Sequence, residues 1–175
     1  METLRRFPKK KCLLPCFDVK TGIKTKQTHF LAFKSNHPFK IHGFGMYGPM
    51  TEKELNIQYG LLIDDFCNPG NKKIILSNNS KLIQFDGHRK IVRLLFHEPI
   101  IVRRYESYIL FLNTDGYKTY RGVNGLSNAH VGNLKLMFSP DFDGISETTL
   151  AEGNFPEIYF DRVCAEKAEE TTSSL

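Results

Sequence analysis

The spacing of the apolar runs is what most constrains this chain. About ten short segments recur at intervals of roughly 8–12 residues, each closed by turn chemistry, and no stretch of helical period is long enough to cover a parallel sheet. The segment Glu54–Tyr59 alternates polar and apolar residues and continues into Leu61–Ile63, the pattern of a half-buried strand. Further strands are expected at His29–Lys34, Phe39–Tyr47, Lys73–Leu76, Lys90–Phe96, Tyr105–Asn113, Leu134–Phe138, Glu147–Leu150 and Glu157–Phe160. Turns are expected at Asn68–Asn71, Asn78–Ser80, Asp86–Gly87 and Thr114–Gly116, and Glu98-Pro99 is expected to break a strand. The pattern predicts an all-β, antiparallel domain, a β-sandwich rather than a closed barrel.

A chain of 175 residues with 41% hydrophobic content is long enough for one domain with a sizeable core. The expected organisation is a basic N-terminal arm with a first strand region over 1–27, a sandwich core over 28–161, and a disordered acidic, Ser/Thr-rich tail over 162–175. No apolar run reaches the length of a membrane span, and Pro15 interrupts the short apolar stretch Cys12–Phe17, so no secretory signal is read. An intracellular, cytoplasmic protein is expected, in which Cys12, Cys16, Cys67 and Cys164 are free thiols.

The net charge of +5 is unevenly spread: residues 1–40 hold ten Lys/Arg against two Asp/Glu, and residues 141–175 hold two against nine. Lys9–Lys11 could touch nucleic acid or an anionic membrane. The aromatics, however, fall inside apolar runs rather than among exposed lysines, which argues for core over a stacking platform and against a nucleic-acid partner. The terminal Ser173-Ser-Leu175 has the spacing of a carboxylate captured by a PDZ domain, a short pattern with many chance matches.

Chemistry-bearing motifs are sparse. The histidines His29, His37, His42, His88, His97 and His130 show no metal-ligand spacing, and Cys12 and Cys16 have no second closely spaced pair to complete a tetrahedral zinc site. No cofactor and no metal is expected. There is no Walker loop and no Gly-x-Ser-x-Gly elbow. Gly43-x-Gly45-x-x-Gly48 matches a dinucleotide fingerprint in spacing, but neither a helix nor a second βαβ strand follows it. It reads instead as the end of a core strand, with Phe44 buried and the glycines allowing close backbone approach. No catalytic residues are assigned, and a non-enzymatic protein is expected.

The ordered set Arg6-Phe7, Phe30–Phe33, Gly43–Gly48, Phe96–Pro99, Tyr120–Gly125 and Thr148 with Gly153–Phe160 resembles the PHR domain, over roughly residues 5–160. That β-sandwich module occurs in large neuronal ubiquitin ligases of the PAM/Highwire/RPM-1 group and in BTB-BACK-PHR adaptors. The resemblance implies a recognition module whose sandwich-end loops bind protein partners, with ubiquitin-ligase components among the candidates. No BTB, BACK or RING segment is read here, so any coupling to ubiquitin transfer is expected to lie elsewhere. On this resemblance Tyr47, Tyr120, Arg121 and Asn124 are the partner-binding candidates, since Tyr and Arg are enriched at interface hot spots. Gly43, Phe44, Gly45, Gly48, Gly122, Gly125, Gly153 and Pro156 are the structural signature.

Two positions depart from the family pattern: His29 stands where an acidic residue commonly opens the strand, and Asn154 stands where a Gln commonly follows the late glycine. Competing readings are that Tyr47 and Tyr120 are core, that Arg121 is a buried brace to loop carbonyls, or that the sandwich binds a small ligand or glycan.

Overall fold

The computed structural model describes residues 1–7, 14–15, 28–49, 51–64, 73–86, 91–114, 119–139 and 148–163. The four cysteines, Lys9–Lys11, the expected turn at Asn68–Asn71 and the tail from residue 164 lie outside the described residues.

The strands are β1 (Glu2–Arg5), β2 (Leu14–Pro15), β3 (Thr28–Ser35), β4 (Phe39–Tyr47), β5 (Glu52–Asp64), β6 (Lys73–Asp86) and β7 (Ile91–Val102). They continue as β8 (Tyr108–Asn113), β9 (Tyr120–Val123), β10 (Asn128–Val131), β11 (Leu134–Ser139), β12 (Glu152–Gly153) and β13 (Glu157–Arg162). A four-stranded sheet, β1-β13-β4-β7, faces a six-stranded sheet, β10-β11-β3-β8-β5-β6, and every pairing is antiparallel. A small third sheet, β12-β9-β2, lies at one end. The all-β sandwich expected from the spacing of apolar runs is therefore the observed fold.

Period-two alternation sets which face of each strand enters the core. In β5, Leu55, Ile57, Tyr59 and Leu61 are buried while Glu54, Asn56 and Gln58 are exposed. From the opposite sheet Phe44 inserts its ring among Tyr59, Phe96 and Phe155, at centroid distances of 6.0, 6.2 and 5.1 Å, all edge-on. Aromatic rings prefer this geometry because the positive edge of one meets the negative face of the next.

Four local expectations are corrected. Glu98-Pro99 does not end β7, which runs on to Val102. Ile41 pairs with Ile100 but Gly43 pairs with Leu95, so Pro99 falls in a bulge on an edge strand, where no ladder N–H is required of it. Asn78–Ser80 lies inside β6 rather than in a turn. There Asn79 donates to Ser77 Oγ and accepts from the His97 N–H, so its side chain braces the β7 bulge. Thr148–Leu150 is not a strand but part of a turn: the Thr149 N–H donates to Glu152 O and the Glu152 N–H to Thr149 Oγ1. The hydroxyls of Thr148 and Thr149 accept backbone N–H groups locally, which competes with a strand ladder. Finally, Tyr120–Gly125, which the resemblance assigns to a sandwich-end loop, is a strand over Tyr120–Val123, and only the following residues turn.

Gly43 marks the tightest approach between β4 and β7. Its φ is +150°, and a side-chain carbon there would sit 2.0 Å from Leu94 O and 2.8 Å from Leu95 Cα. Both obstacles are backbone, so neither can rotate away. Gly43→Ala is expected to cost about 2–4 kcal/mol, read as a lower urea midpoint with an unchanged denaturant slope.

Candidate functional site

At the end of the sandwich where β4 finishes, segments far apart in sequence meet. The first is the arm of chain after β1. Arg6 is 1% exposed. Its Nη2 donates to Thr149 O and, at 2.8 Å, to Leu150 O. Its backbone N–H donates to Pro156 O at 2.9 Å, and its carbonyl accepts the Leu126 N–H at 2.9 Å. One residue thereby ties the turn after β9 to the Thr148–Glu152 turn. No carboxylate pairs with Arg6 among the described residues; its guanidinium instead lies 4.7 Å from the Phe7 ring centroid and 5.8 Å from that of Phe138. Burial pulls Arg6 down from the ordinary arginine range to about 10, with the Tyr47 phenol opposing the shift, so it is charged at neutral pH.

Phe7 packs on Tyr47 at a centroid distance of 6.2 Å and covers β9. Gly122 makes that cover fit, since a side-chain carbon there would lie 2.5 Å from the Phe7 ring. The Gly125 N–H donates to Ala151 O at 2.8 Å, closing the same junction.

Asn154 is the second junction and is fully buried. Its Oδ1 accepts the Tyr47 N–H at 2.6 Å and its Nδ2 donates to Thr119 Oγ1 at 2.8 Å. Both ends of the amide are used, a pairing that needs one donor and one acceptor on the same planar group. The Tyr120 N–H donates to Gly48 O, and Pro49 bridges Thr119, so β9 is held to the end of β4. Thr148 joins the network: its Oγ1 lies 3.2 Å from His29 Nδ1 and accepts the Asn154 N–H at 3.4 Å.

The four partner-binding candidates share this end but differ in exposure. Tyr47 is buried, and burial together with Glu157 pushes its phenol up to about 12, partly offset by Arg6. Tyr120 and Arg121 are half-buried neighbours on β9, and Asn124 is exposed with φ +57°. Arg121 Nη1 pairs with Glu152 Oε2 at 2.6 Å across β9 and β12. The buried brace to loop carbonyls exists, but Arg6 fills it, not Arg121. Nothing local distinguishes Arg6 from Arg5, which is exposed and pairs with Glu157. Only its place in the ordered motif set marks it. Thr119 is a residue of this network that sequence reasoning left out, while Thr148 and His29 entered it only through the resemblance.

His29 is 1% exposed and its Nε2 has no hydrogen-bond partner. Burial lowers its pKa to about 4. The unfolded chain binds this proton below about pH 6.5 and the folded chain only below about 4, so stability should fall as pH drops between those values. The loss from this group is expected to reach roughly 3 kcal/mol. Urea midpoints measured from pH 7 to 4 should show that slope, and His29→Gln should remove this part of it.

No helix among the described residues is long and apolar enough to cross a membrane. No group of metal-ligating side chains comes together among them. A comparison with curated proteins finds no match. The family model for the PHR domain matches residues 18–161, beginning after Arg6-Phe7, a pair that the fold nevertheless packs into the same end as the matched motifs. With most of its length matched and the antiparallel sandwich in place, this chain belongs to the PHR domain family.

Proposed function

We propose that this chain is a non-enzymatic, cytoplasmic protein-binding module that recognises a partner segment through the sandwich end carrying β9 and its following turn. The observation that carries the reading is the division of labour at that end. Arg6, Phe7, Asn154 and Tyr47 are buried and make the contacts that hold it, while Arg121 and Asn124 on the same frame are half-buried and exposed. A frame of this kind presents polar side chains at low conformational cost, which is what a recognition surface requires. Membership of the PHR family supports a protein-interaction role. Ubiquitin-ligase components are the partners we propose first, as scaffolds to which such a module would deliver a client.

The test separates binding from folding. Arg121→Ala removes a half-exposed ion pair, worth about 0–1 kcal/mol. Asn124→Gly keeps a residue comfortable at φ +57°. The double variant is expected to keep its melting temperature within a few degrees and to lose capture of partners that the parent chain retains in a pull-down from cell lysate. Unchanged capture by a folded variant would contradict the assignment.

A further inference from the structure

The opposite end of the sandwich carries a second exposed constellation. There β7 ends at Val102 opposite Phe39, and the turn into β8 runs through Arg103, Arg104 and Tyr105. The Tyr105 N–H donates to Ser35 O at 2.8 Å, which fixes this turn against the one between β3 and β4. Tyr105 adopts φ +60°, a conformation in which a bulky side chain crowds its own backbone and which glycine would occupy without strain. Its ring is not needed inside: Tyr105 is 54% exposed. The Arg104 guanidinium lies 4.6 Å from the ring centroid and Nη2 donates to the Tyr105 hydroxyl at 3.0 Å.

The turn carries Arg103 and Arg104 against Glu106, and Asp64 borders it through the hydrogen bond of its N–H to Ser107 O. Arg103 and Arg104 are exposed on the turn, and Lys34 and Lys40 flank it on the outer faces of the six-stranded and four-stranded sheets, at the adjoining ends of β3 and β4. Among the described residues no carboxylate pairs with Arg104, Lys34 or Lys40. Glu106 already accepts from the Tyr108 hydroxyl at 2.8 Å and lies 3.6 Å from Arg103. Asp161 holds the N-terminal amine and His42.

We infer that this end is a docking surface for an acidic segment of a partner protein, with Arg104 and Tyr105 as its centre. The guanidinium fork matches a carboxylate in two hydrogen bonds, and stacking on Tyr105 holds it at a fixed orientation before the partner arrives. Charge complementarity selects the acidic segment, and a strained, exposed aromatic beside an arginine is the composition of an interface anchor. The pair forms a point on a tight turn rather than a stripe along a groove, which favours a short peptide over a nucleic-acid strand.

A labelled ten-residue oligoglutamate peptide, titrated against the full chain by fluorescence anisotropy, tests this. Oligoglutamate should bind in a salt-dependent manner and oligoglutamine should not. Arg104→Glu and Tyr105→Gly should each weaken binding about tenfold or more. Tyr105→Gly should leave the melting temperature unchanged or higher, because it relieves the turn. Lys81→Glu, the same charge change at an exposed position on β6, should stay within about twofold of the parent. The proposal fails if oligoglutamate does not bind, or if Lys81→Glu weakens binding as much as Arg104→Glu. It also fails if Tyr105→Gly binds like the parent, or if phosphatidylserine vesicles or oligothymidylate bind more tightly than the peptide.

Discussion

The guanidinium of Arg6 occupies a place where a sandwich of this size would ordinarily bury an aliphatic side chain. A cation taken out of water without a carboxylate carries a desolvation penalty of several kcal/mol. Two carbonyl acceptors, Thr149 O and Leu150 O, and the rings of Phe7 and Phe138 offset it. The compensation is partial, since Arg6 Nε and Nη1 remain buried without a hydrogen-bond partner, so removing either carbonyl or the guanidinium itself would leave a further buried group unpaired. That dependence makes the end of the sandwich a single cooperative unit.

Around this unit the rest of the end is layered. Arg6 holds the chain between β9 and β10 to the Thr148–Glu152 turn, Phe7 closes over Gly122, and Asn154 ties the end of β4 to Thr119. These contacts engage Arg6 Nη2 and both ends of the Asn154 amide, leave Arg6 Nε and Nη1 buried without a hydrogen-bond partner, and leave Arg121 half-buried and Asn124 exposed. Rigidity and exposure are thus assigned to different residues, which is how a binding surface can vary without unfolding its frame.

Much of this was legible in the chain, and what was not has physical reasons. Alternation in β5 and the aromatic content of β4 reported burial directly, because side-chain period and solvent exposure are coupled in a strand. The polar middle of β6 misled, since Asn and Ser favour turns unless a neighbour engages them, and the neighbour that engages Asn79 lies on β7. Pro99 misled for the same kind of reason: its tolerance depends on a bulge defined by the partner strand. The motif set around Tyr120–Gly125 lies at the same end of the molecule as Arg6. The side chain that organises it did not announce itself, because Arg6 meets carbonyls more than 140 residues away in sequence.

The central claim, that Arg6 welds this end into one unit on an otherwise independent core, is tested most directly by native-state amide hydrogen exchange on Arg6→Met. The account predicts that the amides of Gly125 and Leu126, and those of Thr149 and Glu152, lose protection together. The amides of β5 and β8 in the central sheet should stay within about tenfold of their parent rates. Uniform loss of protection across both sheets, or retained protection at Gly125 and Thr149, would contradict it.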